Sequence, residues 1–142
     1  MQKLNLDNFE QVADREKGLF MIRFFSDTCG PCKSMEPVLE AFEKQNPTLP
    51  LYEVNSMESP DLVDHFGVRG VPTMIFCERR HVLYQFTGLT SLVDMQHVVD
   101  HINDPYFRKN GEFKKADKKT DWTFYGFIVG IFLLFLVLFL TT

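Results

Sequence analysis

Residues Phe24 to Pro37 read FFSDTCGPCKSMEP, and this stretch decides how the rest of the chain is read. It opens on the end of Leu19 to Phe25 (LFMIRFF), a short and nearly continuous apolar run of the kind that forms a strand covered on both faces. It runs into Cys32 to Gln45, where Met35, Val38, Leu39 and Phe42 recur at helical spacing and Pro37 predicts a kink. Cys29, Gly30, Pro31 and Cys32 therefore stand where a strand stops and a helix starts. The unpaired backbone N–H groups and the dipole at a helix start favour an anion, so Cys29 is expected to be an exposed, thiolate-rich nucleophile. Two residues of separation put Cys32 within bridging distance, so a mixed disulfide on Cys29 is resolved within the molecule and the pair cycles between dithiol and disulfide.

Two other readings of the cysteines compete with this one, a zinc site and a plain structural disulfide. Zinc needs four ligands, and beyond the pair the chain offers Cys77, His65, His81, His97 and His101 without a second CxxC. His97 and His101 share one helix face, the spacing of a weak metal site or of two solvated side chains. Cys77 ends an apolar strand, where a free cysteine behaves as a small core residue. No metal and no cofactor are expected.

Outward from the cysteines, the pattern alternates. Asp7 to Lys17 reads as a helix opened by an Asp cap and closed near Gly18. Leu51 to Asn55 is a second strand, and Asp61 to Phe66 a short helix. Thr73 to Cys77 and Val82 to Phe86 form two strands around the turn Glu78 to His81, and Ser91 caps a last helix, Leu92 to Ile102. The order is βαβ followed by a hairpin and a helix, an α/β domain over residues 1–103. Of 142 residues, 45% are hydrophobic and 24% charged, a globular composition that excludes wholesale disorder. Residues 1–103 hold 9 Lys and Arg against 15 Asp and Glu, a poor surface for phosphate, so nucleic acid is set aside.

The segment FFSDTCGPCKSMEP resembles the active-site segment of thioredoxins, and CGPC is that family's own sequence. Gly70-Val71-Pro72-Thr73 is similar to the loop in which thioredoxins hold a cis-proline opposite the cysteines, and Thr87-Gly88 to the glycine turn that completes their groove. Pro37 matches the proline that kinks the family's active-site helix. The resemblance spans about residues 3–103 and implies a thioredoxin fold, a central mixed β-sheet flanked by helices, with a short N-terminus that lacks the first family strand. It also implies roles. Cys29 is the attacking thiol and Cys32 the resolving one, and Val71, Pro72 and Gly88, with Gly30 and Pro31, bind an extended substrate chain.

The chain departs from the family at two places. Thr28 and Phe25 stand where thioredoxins usually carry tryptophans, which shrinks the aromatic rim. Arg23 takes the position of a buried aspartate that assists proton transfer at the resolving thiol, and Glu53 that of the lysine paired with it. A lone buried charge costs several kcal/mol, so Arg23 is expected to pair with Glu53 or else to snorkel to the surface. A guanidinium cannot accept a proton, which would leave Glu53 to take the one from Cys32, while the nearby cation favours thiolate and a more oxidising pair.

The C-terminal end belongs to another solvent. Thr123 to Leu140 (TFYGFIVGIFLLFLVLFL) carries no charge over eighteen residues. At 1.5 Å per residue this makes roughly 27 Å of helix, the thickness of a hydrocarbon core. A transmembrane helix is predicted over 122–140, with Trp122 and Tyr125 at headgroup level and Gly126 and Gly130 offering a GxxxG pairing face. Residues 104–121 read as a basic polar linker, a flexible tether able to meet anionic lipid. Arg108, Lys109, Lys114, Lys115, Lys118 and Lys119 precede the span and only Thr141 and Thr142 follow it, so the positive-inside rule puts the folded domain on the cytoplasmic side. Met1 to Glu10 shows no secretory signal pattern.

Together these readings predict a tail-anchored thiol-disulfide oxidoreductase that reduces protein disulfides, with a thioredoxin reductase as the electron donor that the resemblance implies. The alternative, from another class, is a thioredoxin-like adaptor or structural subunit of a membrane assembly. A third reading reverses the topology and makes the protein an extracytoplasmic oxidant or isomerase.

Overall fold

The structure is a computed structural model that describes residues 1–113 together with 130 and 131. The predicted membrane span lies outside the described residues except for Gly130 and Ile131, which are helical and exposed. Among the described residues no helix is long and apolar enough to cross a membrane.

The five strands are β1 (Gln2–Lys3), β2 (Leu19–Phe25), β3 (Leu51–Asn55), β4 (Thr73–Glu78) and β5 (His81–Thr87), side by side in the order β1-β3-β2-β4-β5. β2 runs parallel to β3 and antiparallel to β4, so the sheet is mixed, as the resemblance implies. The central run LFMIRFF is β2, and its five inner residues are all buried. Gln2 and Lys3 pair with Tyr52 and Glu53 on the edge of β3, so the first strand expected to be missing is present at two residues.

Alternation along β2 divides the core. Phe20, Ile22 and Phe24 face a cluster with Phe9, Val12 and Ala13 of α1 (Leu6–Arg15) and Leu62 of α4 (Pro60–His65). Met21 faces the other side, where Leu39 and Phe42 of α3 (Glu36–Gln45) meet Met95 and Val98 of α5 (Leu92–His101). Arg23 and Glu53 fall on this second face, since Met21 and Leu51 do. Opposite Arg23 in the parallel register stands Glu53.

The helix predicted over Cys32–Gln45 is two helices, α2 (Gly30–Ser34) and α3, which meet at Met35. Pro37 has no N–H to offer the carbonyl four residues earlier, so the helix breaks just upstream of it, two residues before, at Met35. Met35 N donates to Pro31 and Cys32 carbonyls, both at 3.2 Å, and closes α2. α1 begins at Leu6 under an Asn5 cap, two residues before the expected Asp7. Asn8 N donates to Asn5 Oδ1 (3.1 Å) and Asn5 N donates to Asn8 Oδ1 (2.8 Å), a reciprocal capping box built from two asparagines. Asn5→Ala is expected to lower stability by about 1 kcal/mol, read as a shift of the urea midpoint at unchanged slope.

The tether read from residue 104 is ordered at its start. Asp104 caps α6 (Pro105–Asn110), Phe107 is buried, and Arg108 makes a two-pronged pair with Glu78 at 2.7 and 2.9 Å. Phe113 stacks on Phe107 with ring centroids 4.4 Å apart. Among the described residues the packed body therefore reaches at least Phe113, ten residues beyond the boundary drawn from charge, because two aromatics inside a basic stretch still bury area.

Candidate active site

The C-terminal end of β2 delivers the chain through Ser26, Asp27 and Thr28 to Cys29, which is the N-cap of α2. Cys29 and Cys32 are joined in a disulfide. Cys29 is half-buried and Cys32 is buried, so only the first sulfur is open to an incoming partner. Cys32 N donates to Cys29 Sγ at 3.1 Å, a backbone donor directed at the sulfur that must carry charge. Gly30 and Pro31 form the exposed first residues of α2.

Two further loops converge on the disulfide. The Val71–Pro72 peptide is cis, and the Val71 carbonyl oxygen lies 3.7 Å from Cys29 Sγ. Gly88 N donates to the Pro72 carbonyl at 2.8 Å, which ties the end of β5 to the start of β4. Thr90 N approaches Met35 Sδ at 3.4 Å and links this third loop to the junction of α2 and α3. Gly88 holds φ +92° with nothing near its missing Cβ, so a side chain there meets backbone strain and no clash. Gly88→Ala should cost about 1–3 kcal/mol and loosen the Pro72 contact, seen as a lower thermal midpoint with slower substrate turnover.

Beneath the disulfide lies Arg23, 2% exposed, so it does not snorkel to solvent. Its Nη2 donates to Glu36 Oε1 at 2.5 Å and to the Cys32 carbonyl at 3.3 Å, and its Cζ sits 4.9 Å from the centre of the Phe25 ring. Glu53 Oε2 stands 4.0 Å from Nη1, at the outer limit of an ion pair. The expected Arg23–Glu53 pair is thus secondary, and Glu36 is the close partner. Sequence register along β2 and β3 points to Glu53; Glu36 reaches Arg23 from the first turn of α3, across the layer between helix and sheet. The available signal was its place four residues after Cys32, one helical turn along. Asp27, Lys33 and Ser26 join Arg23, Phe25, Cys32 and Glu36 around a cavity of about 120 Å³.

Cys77 is buried in β4, away from the pair, and burial alone pushes its thiol up to about 12. Alkylation of the folded, reduced protein at pH 8 is expected to modify Cys29 and to reach the buried Cys32 and Cys77 only after unfolding, as a mass count would show. The unfolded chain releases this proton near the ordinary thiol value of 9.0 while the folded chain keeps it, so the contribution to stability is whole below 9 and is lost as pH climbs towards 12. His97 and His101 stack at 4.1 Å on α5, and no group of three or more metal-ligating side chains occurs among the described residues.

The sequence profile of the thioredoxin family matches residues 1–101. The chain belongs to the thioredoxin family. Its relatives include thioredoxin of Chlamydia muridarum, 37% identical over 90 residues that cover 63% of this chain and 85% of that one. A putative thioredoxin 2 of Streptomyces coelicolor is 32% identical over 87 residues, 61% of this chain and 63% of the relative. Among solved structures, oxidized mitochondrial thioredoxin 3 of Saccharomyces cerevisiae superposes with a TM-score of 0.64 at 25% identity, over 70% of this chain and 94% of that one. Family, fold and the Cys29–Cys32 disulfide together make this chain a thiol-disulfide oxidoreductase of thioredoxin type, a family that acts on disulfide-containing proteins.

Proposed function

We propose that the chain is a membrane-anchored protein-disulfide reductase whose folded domain faces the cytoplasm. The observation that carries the redox half is the pairing of a half-buried Cys29, 3.7 Å from the Val71 carbonyl, with a buried Cys32. Cys29 thiolate attacks one sulfur of a substrate disulfide, and the other substrate sulfur leaves as thiolate and takes a proton from water. Cys32 then gives up its proton and attacks Cys29 sulfur, which releases the second substrate thiol and closes the Cys29–Cys32 disulfide. Two electrons and two protons pass to the substrate. The Val71 backbone and the exposed Leu89 beside Gly88 offer an extended chain one polar and one apolar contact.

The anchoring half rests on the uncharged run over residues 123–140 and the lysines before it. Tethering raises the local concentration of the enzyme near membrane substrates with no new contact. The electron donor is a thioredoxin reductase drawing on NADPH, and Gly126 with Gly130 supplies a face for a second helix. The test is expression of the 142-residue chain in a membrane system, followed by alkaline carbonate extraction and protease treatment of sealed vesicles. The chain is expected to stay with the membrane and its domain to be digested from the cytoplasmic side. Release by carbonate, or protection of the domain, would overturn the anchor or its orientation.

A further inference from the structure

Arg23 is a buried cation whose peptide-side contact is the resolving cysteine itself. Its Nη2 bridges the Cys32 carbonyl and Glu36 Oε1, while Nε has no hydrogen-bond partner. Cys32 and Glu36 line the same 120 Å³ cavity, and Glu53 does not. That volume is well above the roughly 10–15 Å³ needed to seat one water, and Ser26, Asp27, Lys33 and Glu36 give such a water its polar partners. The Glu36 side chain is 49% exposed, so a proton that arrives there passes on to solvent.

We infer that Glu36 is the residue through which Cys32 loses its proton during resolution, with Arg23 as the positioning residue that holds the carboxylate beside the cavity. The inference rests on the reductase reading of Cys29 and Cys32. In the step, the Cys32 S–H bond breaks and its proton passes through cavity water to the Glu36 carboxylate. The Cys32 sulfur bonds to Cys29 sulfur, the Cys29–substrate S–S bond breaks, and the substrate leaves as thiolate. Glu36 returns its proton to solvent. The charged groups that line the cavity with Cys32 are Arg23 from β2, Asp27 and Lys33 from the active-site loop and α2, and Glu36 from α3, while Glu53 from β3 stands 4.0 Å from Nη1 of the guanidinium. Asp27 is the competing base, but its Oδ2 accepts from Asn55 Nδ2 at 3.0 Å and it makes no contact with Arg23.

The test mixes the reduced 142-residue chain in detergent with Ellman's disulfide and follows release of the coloured thiolate. The first equivalent reports attack by Cys29 and depends on reagent concentration; the second reports resolution by Cys32 and does not. Buried Cys77 stays silent. Glu36→Gln is expected to leave the first phase within twofold and to slow the second at pH 7 by at least about tenfold. The loss should shrink as pH rises and vanish where the Cys32 thiol ionises unaided, a convergence that simple damage to packing does not produce. Glu53→Gln and Asp27→Asn should each slow the second phase less than Glu36→Gln does, and Glu36→Asp should fall between wild type and Glu36→Gln. Superimposable second-phase profiles for wild type and Glu36→Gln, or a larger loss in either control, would overturn the role of Glu36. If Glu36→Gln does not fold, Glu36→Asp decides: a slower second phase with pH convergence supports the role and an unchanged one overturns it. A wild-type chain that releases no first equivalent overturns the reductase reading and this inference with it.

Discussion

Cys29→Ser removes at least about a thousandfold of the disulfide-reducing rate, because the alcohol oxygen that replaces the half-buried sulfur cannot form the mixed disulfide on which both later events depend. Cys32→Ser behaves differently. Cys29 still attacks, but nothing inside the molecule resolves the product, so substrate accumulates as a covalent adduct on Cys29. Multiple turnover of a protein disulfide together with intact-mass analysis separates the two: no adduct in Cys29→Ser and a stoichiometric adduct in Cys32→Ser. The asymmetry follows from burial, since Cys32 is covered and reaches Cys29 more readily than it reaches any substrate.

Phe42→Ala has the largest expected effect on stability. Phe42 is fully buried on α3, with its ring edge-on to Phe76 of β4 at 6.2 Å, in the cluster that includes Met21, Leu39, Met74 and Met95. Truncating it removes the transfer free energy of the ring and leaves a cavity between helix and sheet, at a cost of about 3–5 kcal/mol. For a body of this size that lowers the thermal midpoint by roughly 12–20 °C, measurable by calorimetry on the oxidised chain. α3 also carries Glu36, so the same substitution should slow resolution before the domain melts.

The parts of the fold that the sequence made legible are those governed by local period and by strongly constrained loops. LFMIRFF forms β2 and LYEVN forms β3 at the predicted bounds, because a run that short and apolar has one way to bury both faces. The Val71–Pro72 peptide is cis with the Val71 carbonyl 3.7 Å from Cys29 Sγ, and Gly88 takes a positive φ and donates to the Pro72 carbonyl. What escaped was non-local. A two-residue edge strand such as Gln2–Lys3 has no period to read and exists only through its pairing with β3. α6 was hidden by its own charges, and Phe107 becomes core with Phe113 packed against it only because Tyr84 and His97 stand beside them. The Asn5–Asn8 box lacks the usual Glu or Gln third partner, so Asp7 looked the better cap. Glu36 was missed for the same physical reason: strand register fixes which residues lie opposite within a sheet, but the height at which a helix docks over it is set by packing of the whole layer.

The exchange of a buried anion for Arg23 should also shift the redox balance, since a cation below Cys32 favours the charged reduced form. The most direct test of the central claim is the equilibrium reduction potential of Cys29–Cys32 in the 142-residue chain, read by alkylation mass shift across defined thiol buffers. A catalytic pair is expected to show one two-electron transition between about −270 and −180 mV, on the oxidising side of ordinary thioredoxin. A disulfide that persists below about −300 mV would be structural, and would contradict the assignment of these cysteines to electron exchange.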